Sequence, residues 1–114
     1  MRFDWVPTRI SVYWDDGRPL VVSALVASKN GTQVAIHPSL TDCRLWTVTY
    51  VKFGRAIVVN LKFAYAKALA ERLLRGLRTL DTVTPLNAHQ FGEWLGRCRR
   101  EARQKVNKDK EHDD

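Results

Sequence analysis

Cysteine is scarce in this chain of 114 residues: Cys43 and Cys98 are the only two, and they stand far apart. A lone distant pair makes no disulfide framework, and with His37 and His89 it fits no Cys-x2-Cys or His-x3-His metal pattern. Reduced thiols and a cytoplasmic location are therefore expected. No long apolar run follows the charge in Met1-Arg2-Phe3-Asp4-Trp5, so no export signal is recognised. Nowhere do apolar residues approach the ~20 in a row that a membrane span requires, so no membrane partner is expected. Also missing are a Gly-x-Ser-x-Gly elbow, a phosphate-cradling loop and a Gly-x-Gly-x-x-Gly turn. His89 and Glu93 lie one helical turn apart but lack the second histidine of the zinc-hydrolase pattern. The chain is accordingly read as no enzyme, with no cofactor and no metal.

Positive charge and apolar mass are what the chain does have. Its formal net charge is +7, and 45% of its residues are hydrophobic. One domain with a modest core of its own follows from the second figure, and an acidic partner from the first. The expected domain covers residues 1–105, with residues 106–114 a charged, apolar-poor, disordered tail.

The stretch from Trp46 to Asn60 organises the rest. β-Branched and aromatic residues fill two arms on either side of Gly54, which can take positive φ in a tight turn, so a hairpin is expected. Alternation puts Trp46, Val48, Tyr50 and Lys52 on one face and Thr47, Thr49, Val51 and Phe53 on the other. Before it, residues 1–8 read as an extended arm lying on the domain. Arg9 to Trp14 alternates as a half-buried strand, with Ile10, Val12 and Trp14 opposite Arg9, Ser11 and Tyr13. The turn chemistry of Asp15-Asp16-Gly17-Arg18-Pro19 follows. Leu20 to Ala27 is apolar at nearly every position, which predicts a central strand covered on both faces. Asn30-Gly31 links it to a strand over Thr32–His37.

Asn60 is the expected cap of a helix in which Ala66, Leu69, Ala70, Leu73, Leu77 and Leu80 recur at three- and four-residue spacing, ending near Thr79. Thr84-Pro85, or Asn87 with Gln90, opens a second helix. Phe91, Trp94, Leu95, Cys98 and Ala102 share one of its faces, and Arg97, Arg99, Arg100, Arg103 and Lys105 crowd the remainder. The fold class is α+β: an antiparallel five-stranded meander sheet followed by two helices packed on one face. The other sheet face must be solvated, dimerise or hold a ligand.

Two surfaces are candidates for function. Arg97 to Lys110 carries seven cations against Glu101 and Asp109, so Arg97, Arg99, Arg100, Arg103 and Lys105 are expected to contact phosphates. On the sheet, Trp46 and Tyr50, with Tyr13, would stack bases while Lys52, Arg55 and Arg9 serve the backbone. The layout of strands followed by a helix resembles small single-strand-binding folds of the coactivator type, in which a curved antiparallel sheet contacts the strand and a helix dimerises. The compact, basic, tryptophan-rich composition is similar to that of small accessory proteins of phages and mobile elements. The expected function is that of a small non-enzymatic nucleic-acid-binding protein, with single-stranded DNA or RNA as ligand, working as a homodimer. The alternative is an inhibitor or adaptor that docks on an acidic protein.

Overall fold

The computed structural model describes residues 3–13, 16–29, 31–52, 54–76 and 88–112. Five strands come first: β1 (Val6–Tyr13), β2 (Pro19–Lys29), β3 (Thr32–Pro38), β4 (Trp46–Tyr50) and β5 (Arg55–Leu61). They form one antiparallel sheet in the order β1-β2-β3-β4-β5. Two helices follow, α1 (Phe63–Arg75) and α2 (Ala88–His112). The α+β class and the meander are as the alternation of the sequence implies.

The turns follow backbone chemistry. Gly17, Gly31 and Gly54 all have positive φ, and Lys29 pairs with Thr32 next to Gly31. Asp16 Oδ1 accepts a 3.0 Å hydrogen bond from the Arg18 amide, an Asx turn of the kind aspartate favours. Pro7 lies in the edge strand β1, while Pro19 opens β2 and Pro38 closes β3, so none interrupts a central ladder.

The centre of the sheet is β3, not β2. Val34, Ala35, Ile36 and His37 are all buried, whereas Val21 in β2 is 62% exposed. Pairing register explains the difference. Residues 19–26 of β2 pair with β1, but only residues 25–29 pair with β3. The eleven-residue strand therefore passes from one hairpin to the next, and it carries β1 round the sheet. The curl brings Tyr13, at the end of β1, to Gly54, just before β5, where the Tyr13 amide donates to the Gly54 carbonyl at 3.2 Å.

Curling gives the sheet two cores. On the inner face Ile10, Val12, Ala24, Val26 and Ala35 bury one another, helped by Leu20, Val22, Leu40 and Val51. This face is closed largely by the sheet itself, because β1 folds over it. On the outer face α1 lays Ala66, Leu69, Ala70 and Leu73 on Val34, Ile36, Val48 and Tyr50. α2 packs chiefly on α1, through Cys98 and Ala102, with Trp94, Leu95 and Val106 at the margins. The layers thus run sheet, α1, α2. The N-terminal arm lies on α1 as expected: Trp5 Nε1 donates to Glu71 Oε2 at 3.4 Å, and the Arg75 guanidinium sits 5.6 Å from the centre of the Phe3 ring.

Several boundaries differ from the sequence expectation. β1 begins at Val6, taking in the end of the expected arm. Asn60 does not cap α1: it lies within β5 at φ 62°, a left-handed conformation asparagine tolerates, and Lys62 is the N-cap without a side-chain bond. α1 ends at Arg75 rather than near Thr79; the amide of its C-cap Gly76 donates to the Leu73 carbonyl. Leu77, Leu80 and the start signals Thr84-Pro85 and Asn87 lie outside the described residues, as do Trp14 and Phe53. The most consequential correction is the tail. α2 runs on to His112 through residues expected to be disordered. No glycine or proline follows Gly96, and Arg, Glu, Gln, Lys and Ala are good helix formers, so charge alone does not stop the helix.

Candidate nucleic-acid interface

At about 100° of turn per residue, the positions of α2 sort into an inward and an outward half. Cys98 and Ala102 are buried against α1, and Trp94, Leu95 and Val106 flank them. Opposite this seam, Arg97, Arg99, Arg100 and Arg103 fall within an arc of about 160°. All four are exposed. Glu93 shares this half at its N-terminal end. Lys105 does not join the arginines: seven residues after Cys98, it lies over the seam, although it too is exposed.

The arginines stand on a braced surface. Tyr65 of α1 donates its hydroxyl to the Arg99 carbonyl at 3.2 Å, and the Arg103 guanidinium lies 5.7 Å from the centre of the Tyr65 ring. Arg72 Nε lies 3.3 Å from Glu101 Oε2, an ion pair between the helices whose angle falls short of a hydrogen bond. Two further ion pairs, Asp16–Arg18 and Asp42–Arg44, are local. The carboxylates of these three pairs go to Arg72, Arg18 and Arg44, not to the outward arginines of α2. Antiparallel packing sets Tyr65 beside Arg103 and Gly76 beside Trp94. The last turns of α2, beyond Val106, consequently run past the start of α1.

The expected aromatic platform is absent, because α1 covers it. Tyr50 is buried in the outer core. Trp46 packs edge-on against Phe63 of α1, with ring centres 4.8 Å apart and planes at 64°. The parity that puts Trp46 and Tyr50 on one face is as expected, but the helix took that same face. Tyr13 is half exposed, beyond the reach of α1. Lys52 is exposed in the β4–β5 turn, and the side chain of Arg55 lies outside the described residues. The two candidate surfaces are not brought together.

A polar cluster that the sequence reading missed occupies the inner face. His37, Thr47 and Thr49 are buried there with Ser39. His37 Nε2 is 2.8 Å from Thr49 Oγ1, and its Nδ1 is 2.9 Å from the Pro38 carbonyl oxygen. A carbonyl only accepts, so Nδ1 carries the proton; Nε2 of the neutral ring then accepts from the Thr49 hydroxyl. Burial pushes the His37 pKa below its ordinary 6.5, and the contact with Pro38 opposes that only in part. Ser39 Oγ shares a 2.7 Å bond with Thr47 Oγ1 and accepts the Asn60 amide at 3.2 Å. The available signal was the alternation of Thr47 and Thr49, which places two hydroxyls on the face opposite Trp46. Cys98 is buried, with its thiol pKa raised by burial and by the nearby Glu101 charge, and Cys43 is exposed in the loop before β4.

No family profile, curated protein or solved structure matches this chain. No helix among the described residues is long and apolar enough to cross a membrane.

Proposed function

We propose that the chain is a small non-enzymatic nucleic-acid-binding protein that contacts phosphates through the outward half of α2. One observation supports this reading: Arg97, Arg99, Arg100 and Arg103 are exposed on a single surface of α2, braced by Tyr65. Arginine suits the task, since its planar fork meets phosphate oxygens two at a time and is weakly hydrated. Each phosphate neutralised releases counterions, so the interface should be strongly salt-dependent. With Trp46 and Tyr50 covered, nothing on the sheet supports base stacking by those residues. The binding is accordingly backbone-directed and tolerant of sequence.

The test is a salt titration of binding to single- and double-stranded oligonucleotides. Replacing Arg99, Arg100 and Arg103 with alanine should weaken binding and flatten the dependence of log K on log salt by about 2.7 for duplex DNA, or about 2.1 for a single strand. Retention and slope identical to the parent would overturn the proposal. Selective capture of an acidic protein by the same arginines, with oligonucleotides ignored, would replace it with the docking alternative.

A further inference from the structure

The inner face of the curled sheet, turned away from α1, lines an open-mouthed cavity of about 360 Å³. Its size is at the small end of the range that holds small molecules. The buried hydroxyls of Ser39, Thr47 and Thr49 form part of the lining, Val12 and Leu40 supply apolar wall, and Tyr13, Thr41, Ala56, Val59 and Asn60 are its exposed members.

Counting hydrogens shows what the polar lining offers. The Thr49 hydroxyl gives its hydrogen to neutral His37, so its oxygen keeps free acceptor capacity. Ser39 and Thr47 own two hydroxyl hydrogens between them, and one is used in their mutual bond. The Asn60 amide is donated into this pair and consumes no hydrogen of it. Whichever hydroxyl is the donor, one hydrogen stays uncommitted. The buried hydroxyls therefore present one donor beside one acceptor, with the exposed Thr41 hydroxyl and Asn60 carboxamide elsewhere in the lining. Among the described residues no Asp, Glu, Lys or Arg lines the cavity, so they offer a charged guest no compensation for its lost hydration. Tyr13, half exposed at the mouth, offers a ring to stack on.

We propose that this cavity binds a small uncharged planar ring carrying an adjacent amide donor and acceptor, the edge of a lactam or cyclic imide. The Ser39–Thr47 pair donates to the ring carbonyl, Thr49 Oγ1 accepts from the ring N–H, and Tyr13 covers the ring. That chemistry can arrive as a free base or nucleoside, or as an unpaired base of a strand.

The experiment is an amide-resolved NMR titration of the full chain with uracil, beside orotate, the same ring bearing a carboxylate. Saturable shifts at His37, Thr47, Thr49 and Asn60 are expected with uracil, with a Kd of about a millimolar or tighter, as suits so small a ligand. Orotate should bind far more weakly. Thr47→Val and Thr49→Val should each weaken uracil roughly three- to tenfold. Should either buried change prevent folding, Tyr13→Ala at the exposed mouth decides, with a loss of several-fold expected. No saturation, shifts confined to α2, equal binding of orotate, or indifference to Tyr13→Ala would each overturn the proposal. Where uracil does bind, its displacement from the same amides by an oligouridylate identifies a strand base as the source, and its retention identifies the free ring. Uracil carries no phosphate, so failure here leaves the arginine surface untouched, and failure of that surface leaves the cavity untouched.

Discussion

Gly54 meets two demands at one position. Its φ is 64°, and a Cβ there would sit 2.6 Å from the Ser11 carbonyl oxygen and 2.9 Å from the Tyr13 ring. The first was legible, since a lone glycine between two β-rich arms implies a turn. The second was not, because contact with Ser11 exists only once the sheet has curled. Gly54→Ala should therefore cost about 2–4 kcal/mol in denaturant unfolding, more than a turn glycine at an open site. A destabilisation equal to that of Gly17→Ala, which meets nothing within 4 Å, would contradict this account. His37 has a sign that can be worked out. Its folded pKa lies below the ordinary 6.5, so between the two values the unfolded chain holds more protons. Its contribution to stability is complete above 6.5 and is lost as pH falls through the folded value. Unfolding free energy measured against pH should decline in that window for the parent and less steeply for His37→Gln.

Among the elements, alternation revealed both faces of β1 and β4, because local period is what a strand writes into its sequence. Ile10 and Val12 are buried as that pattern implies. Which face the helix would take is not local information, and Trp46 and Tyr50 were lost as a platform on that account. The length of α2 was misjudged for a related reason: a charged run with few apolar residues reads as a tail, yet Val106 still packs on the core. Asn60 shows that one side chain can suit two backbones, a cap or a left-handed strand residue, and the sequence does not choose between them. The α1–α2 seam depends on a small residue, since Ala102 is completely buried. Ala102→Leu should overfill it at a cost of about 1–3 kcal/mol, read as a lower urea midpoint. Tyr65→Phe keeps the ring beneath Arg103 but removes the bond to the Arg99 carbonyl, so it should cost about 0.5–1.5 kcal/mol while changing oligonucleotide affinity little.

Across the whole molecule, order of layers matters most. The cavity opens on the inner face of the sheet, α1 covers the outer face, and α2 lies outside α1. The two proposed sites share no residue, so their energies should add. The triple alanine variant of Arg99, Arg100 and Arg103 should leave a uracil titration unchanged, and Thr47→Val should leave the oligonucleotide salt slope unchanged. A shift of one by the other's mutation would show coupling that the layering does not provide. The outermost position of α2 has a further effect. Most of the excess positive charge resides in Arg97 to Lys110, on one flank of a body measuring 44 × 32 × 24 Å. Such an off-centre charge is a dipole, and the field of a polyanion exerts a torque on it before the surfaces touch. The protein would approach already turned, with few unproductive collisions and an association rate that falls steeply as ions are added.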